Sequence, residues 1–205
     1  MRSDTLLRPT RPMLGARTLT AALLLAFVLG GCTNGGNGGA SADGVTVDAN
    51  DTTAPTLQLS AAETGGGNPQ VDVKPGDSPK TLQLRTKTES INLIATARDD
   101  ESGVQTLQIW VNKKTTRCSG GTCTVVGPGL LGAPRFESTE PKQSAGTAVS
   151  PQKTLLTALV LKDEIPQGSP GPGSTLVVEI TIFATSANHV GAEASTPEIT
   201  ARWSE

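Results

Sequence analysis

The chain has a single histidine, His189, in the loop-like stretch SANHVG. Nucleophilic catalysis needs a base beside the nucleophile and a third group to orient it. No G-x-S-x-G elbow presents a serine, and no glycine-rich phosphate cradle joins a strand to a helix. His189 therefore reads as a solvated corner residue rather than a base. The acids offer more. Asp99, Asp100 and Glu101 are consecutive in ARDDESGV, and paired carboxylates are the working groups of glycoside hydrolysis. A sugar-cleaving site usually adds aromatic platforms, however, and this chain has two tryptophans, three phenylalanines and no tyrosine. The plainer account of the acidic run is turn chemistry, which Asp and Ser-Gly satisfy. No catalytic residue is assigned, and the chain is read as not an enzyme.

The three cysteines separate into two roles. Cys118 and Cys123 flank Ser-Gly-Gly-Thr in RCSGGTC, a spacing suited to a disulfide that closes a tight hairpin in an oxidising compartment. A zinc site fails by ligand count, since a structural site needs four ligands and only His189 could assist. Cys32 stands elsewhere, at the end of LLLAFVLGGC. Arg2, Arg8, Arg11 and Arg17 precede an apolar run from Ala21 to Leu29. That run falls short of the ~20 apolar residues of a membrane span. A basic segment, a short apolar core and small residues before the cut describe a secretory signal; Met13 is an alternative start.

Leu29-Gly30-Gly31-Cys32 resembles the lipobox of bacterial lipoproteins. The resemblance implies diacylglyceryl attachment to Cys32 and cleavage before it, leaving residues 1–31 as signal peptide. Two acyl chains anchor stably, at about 0.8 kcal/mol per buried CH₂. The following TNGGNGGASADG can bury little and behaves as a flexible coil, so residues 32–50 read as anchor and disordered tether. Thr33 is not the aspartate that acts as an inner-membrane retention signal. The expected location is therefore the outer membrane of a Gram-negative cell, or otherwise the cell surface.

Formal net charge is −2. Loss of residues 1–31 removes four arginines and one aspartate, which makes the mature chain more acidic. Nucleic acid and anionic lipid headgroups demand a basic footprint and are excluded as partners. Few aromatics leave Val, Ile, Leu and Thr to build the core, a composition suited to pleated sheets. Period-2 alternation recurs in PTLQLSA, INLIATA, VQTLQIWVN and TLVVEITIFATSA, and again in EITARW, while TLLTALVLKDEI is almost wholly apolar from Leu155 to Leu161. Gly, Pro, Asn and Asp clusters separate these six segments, so they read as strands. The expected class is all-β, an antiparallel β-sandwich.

ARDDESGVQTLQIWVN, an Asp-rich turn leading into an alternating strand, resembles the B–C region of bacterial immunoglobulin-like modules. ITIFATSANHVG is similar to their F–G corner, and DTTAPTLQLSA to their opening strand. The resemblance implies an immunoglobulin-like domain over residues 51–205 with inserted loops near 62–80 and 115–152. It further implies that Asp51 and Asn188 lie at the same pole as Asp99 and Asp100. Calcium takes six to eight oxygens, and these four residues are the candidate set if a cation binds; no other cofactor is expected. Alternation sets Trp110 opposite Leu107, Ile109 and Val111, on the outer face of its sheet. There it is either an exposed interface anchor or a residue covered by an insertion. Trp203 reads as core or edge packing. The functional expectation is a lipid-anchored, non-catalytic binding or structural module of the cell envelope, its partner an envelope protein or a glycan. The alternatives are a carbohydrate-binding surface protein using Trp110, and a small hydrolase using Asp99 and Asp100.

Overall fold

Alternating Val, Ile, Leu and Thr determine the strands, and the turn residues between them determine where each stops. A computed structural model describes residues 44–64, 69–127, 133–166 and 171–205. The expected signal segment, Cys32 and the first part of the expected tether lie outside the described residues. In chain order the elements are β1 (Val45–Thr46), β2 (Thr56–Glu63), β3 (Gln70–Val73), β4 (Lys80–Gln83) and β5 (Ser90–Arg98). Next come β6 (Val104–Ser119), β7 (Thr122–Val126), β8 (Phe136–Thr139), β9 (Ala148–Val149) and β10 (Gln152–Val160). The last are α1 (Leu161–Glu164), β11 (Ser174–Asn188), β12 (Glu193–Ser195) and β13 (Ile199–Ser204).

Two sheets enclose one apolar core. The smaller has the order β10-β5-β2-β3; the larger runs β4-β13-β11-β6-β7, with β12 beside β11 and β8 beside β6. All pairs are antiparallel except β13 with β4. Every segment with a period-2 signal is a strand. Leu57, Leu59, Ile91 and Leu93 of the smaller sheet share one buried cluster with Leu107, Ile109, Ile180 and Ile182 of the larger. Trp203 belongs to this cluster, so it is core. The apolar run of β10 has a different meaning. β10 lies at the end of its sheet and turns Leu159 inward while Leu156 remains 71% exposed.

The stretches expected as insertions hold short strands joined by loops. The first holds the end of β2 and all of β3; the second holds the end of β6 together with β7, β8 and β9. β7 and β8 both pair with β6 along its edge, so these pieces extend the sheet instead of crossing its outer face.

The tether boundary also shifts. Val45 and Thr46 pair with Val149 and Ala148, the Val47 amide donates to the Thr147 carbonyl at 3.0 Å, and Val47 is buried. Residues 45–50 therefore belong to the folded body, not to the tether expected to run to Asn50. A three-residue alternation beside a glycine tract is too short to register as a strand. β9 lies close against the turn before β6. At Gly103 (φ +67°) an added Cβ would sit 2.3 Å from Val149 Cγ2 and 2.8 Å from the Ser150 carbonyl oxygen, so the position requires glycine.

Candidate functional site

The alternation of β11 continues in phase from Leu176 through Ser186 to Asn188, which turns the Asn188 side chain inward at the pole. Its Oδ1 accepts from the backbone N–H groups of Val190 (3.2 Å), Gly191 (2.9 Å) and Ala192 (2.8 Å). Three donors fix the orientation of the amide. The amino group then donates to Asp51 Oδ2 at 2.9 Å, Asp99 Oδ2 at 3.1 Å and the Thr53 carbonyl at 3.1 Å. Asp99 Oδ1 accepts from the Glu101 and Ser102 amides, and Ser102 Oγ donates to the Asp48 carbonyl. Burial pushes the Asp51 carboxyl upward, but hydrogen bonds from Thr53, Ser102 and Glu101 outweigh this and hold it below the ordinary aspartate value.

Three of the four residues expected to share a calcium ion thus converge, and Asp100 does not. It pairs with Arg98 at 2.9 Å on the surface, and Asp99, its neighbour, is buried in the turn. Between the two convergent carboxylates sits the Asn188 amino group, in the space a cation would need. Among the described residues, no three His, Cys, Asp or Glu side chains are placed to hold a metal. The arrangement is a hydrogen-bonded latch. It ties the segment before β2, the β5–β6 turn and the β11–β12 turn together.

His189 corrects the expectation of a solvated corner. It is fully buried. Its Nδ1 accepts from the Gln143 amide at 3.1 Å, which puts the proton of the neutral ring on Nε2, and Nε2 finds no partner among the described residues. Burial pushes its pKa below the ordinary histidine value; Glu140 and Asp99 oppose this, while Lys153 and Lys142 add to it. Lys153, nearly buried on β10, pairs with Glu140. No local pattern announces this group, because Gln143 lies 46 residues from His189 in the sequence.

Trp110 lies on the outer face of the larger sheet, partly buried. Its cross-strand neighbour is Phe183. The two rings stack with centroids 5.9 Å apart and planes within 2°, an offset geometry that aromatic pairs favour. Indole Nε1 donates to Thr185 Oγ1 at 3.0 Å, and Thr185 Oγ1 donates to Gln108 Oε1 at 3.3 Å. Gln108 Nε2 in turn donates to Glu137 Oε2 at 3.4 Å. This chain of contacts holds the indole in one pose. Beside it runs a trough of about 460 Å³ bounded by Thr106, Gln108, Trp110, Thr185, Glu193 and Ser195.

Cys118 and Cys123 form the expected disulfide, with Cα atoms 4.0 Å apart. Gly120 (φ +57°) and Gly121 (φ +82°) are both left-handed, as a two-residue type I′ hairpin turn requires. The chain matches no family model, no curated protein and no solved structure.

Proposed function

We propose that this chain is a lipid-anchored bacterial envelope protein whose immunoglobulin-like sandwich is a non-catalytic binding or structural module. Strand order supports the immunoglobulin-like reading. The orders β10-β5-β2 and β6-β11-β13 correspond to strands E–B–A and C–F–G of such a sandwich. Its departures are the extra strands β3, β4, β7 and β8, and a disulfide that closes a hairpin instead of joining the sheets. Export and lipidation rest on Leu29-Gly30-Gly31-Cys32 and the basic, apolar segment before it.

The observation that carries the binding reading is Trp110, an indole fixed by Phe183 and Thr185 on a sheet face. A pre-positioned aromatic loses little conformational freedom on contact, which favours association. The carboxylates are engaged otherwise. Asp99 serves the latch and Asp100 pairs with Arg98, so the hydrolase alternative is the weaker one.

In-cell crosslinking and recovery of the anchored chain, run beside Trp110→Ala and Cys32→Ser, tests the proposal. Cys32→Ser should leave the membrane fraction, and Trp110→Ala should remain there but lose its specific crosslink. Persistence of the Cys32→Ser chain in the membrane fraction would refute the lipid anchor. An unchanged crosslink pattern in Trp110→Ala would refute the contact face.

A further inference from the structure

We propose that the trough beside Trp110 binds a neutral oligosaccharide; this rests on the binding-module reading and names its ligand. Trp110, Gln108 and Thr106 come from β6, Thr185 from β11, and Glu193 and Ser195 from β12. Three adjacent strands therefore set one aromatic surface, three hydroxyls, one carboxamide and one carboxylate along a shallow floor. A pyranose has the complementary make-up. Its ring presents a face of C–H bonds that packs on an aromatic plane, and its rim presents hydroxyls that both donate and accept.

Charge narrows the class. Among the described residues no lysine or arginine lines the trough, and Glu193 with nearby Glu137 would repel phosphate, sulfate or uronate groups. Size narrows it further. A volume of about 460 Å³ falls within the range of small-ligand sites, about 300–1,000 Å³. A stable protein partner would need roughly 800 Å² of contact from each side. Trp110 is already oriented by its stack and hydrogen bond, and Gln108 is oriented between Thr185 and Glu137. The polar groups that would meet sugar hydroxyls are thus set in place before the ligand arrives.

The test uses the full chain purified from membranes. It is titrated to about 10 mM, the weak-binding range, with neutral hexasaccharides of glucose, mannose, galactose and N-acetylglucosamine in both linkage senses. Binding is followed by tryptophan fluorescence and equilibrium dialysis. At least one oligosaccharide should bind saturably. Trp110→Ala should weaken it by about tenfold or more, Gln108→Ala should weaken it less, and Trp110→Phe should retain part of it. Thermal melting of each variant establishes that it is folded. Absence of saturation across the panel would overturn the proposal, as would binding undiminished in a folded Trp110→Ala chain. Silence towards sugars alongside a protein crosslink that depends on Trp110 would retire the glycan while leaving the binding module intact.

Discussion

The Asn188 amide gives its oxygen to three backbone N–H groups and its amino group to two carboxylates. Alanine would leave the Val190 and Ala192 amides without that acceptor in a partly buried turn, while the Gly191 amide keeps the Asn188 backbone carbonyl at 3.2 Å. Each orphaned group costs about 1–3 kcal/mol when buried, so Asn188→Ala, with two partly buried amides orphaned, should lose about 2 kcal/mol or more in urea unfolding. Asn188→Asp would instead bring a third carboxylate against Asp51 and Asp99. That variant should melt lower than the parent in chelator and recover with calcium, whereas the parent should melt alike in both. A parental melting point that rises with calcium would show that the latch opens to admit the ion. His189 sets a separate pH dependence. Its folded pKa lies below the ordinary value, so as pH falls the unfolded chain takes up the proton first. Stability is full above about pH 6.5 and drains as pH drops from there through the folded value. Asp51 and Asp72, held below the ordinary aspartate value, act only at lower pH. His189→Gln does not titrate and can still accept from Gln143, so its urea midpoint should stay flat between pH 7 and 5. Parallel losses in parent and variant would remove His189 as the cause.

Among the elements, the β6–β7 hairpin is pinned yet peripheral. Every residue of β7 is exposed, and its disulfide spans only five positions. Chain-entropy reasoning gives so small a loop about 2 kcal/mol. Reduction should cost less than that, because the tip can fray without disturbing the core. Melting should fall by less than about 8 °C, with faster amide exchange in Cys123–Val126 and none in β11. A larger drop would place the hairpin inside the cooperative unit. The elements also differ in how legible they were. Leu176, Val178, Ile180, Ile182 and Ala184 present five inward positions in a row, and β11 follows from them. β1, β3, β4 and β9 span two to four residues each, fewer than a period needs to stand above chance. Their strand character comes from the neighbour they pair with.

For the whole molecule, the folded body includes the stretch from Val45 to Asn50. A chain starting at Gly44 should be more stable than one starting at Asp51. Burying Val47 contributes about 1.5–3 kcal/mol, and β1 pairs with β9. Equal urea midpoints for the two would return residues 45–50 to the tether.

By itself the sequence determined what is local. Side chains alternate across any extended strand, so its apolar phase names the buried face, and two glycines between two cysteines name a tight turn. That logic extends to the outward position of Trp110, while Trp203, read as core or edge packing, is resolved as core by the structure. Tertiary structure decided what depends on strand order. Asn188 meets Asp51 from 137 residues away and Asp99 from 89, and His189 is sealed by Gln143 from 46 residues away. The acidic turn admitted a cation beside its plainer reading as turn chemistry, because an oxygen-rich sequence cannot say what will stand between its carboxylates. Folding put an amide there, since the end of β11 crosses the pole just where the phase of its own alternation turns Asn188 inward.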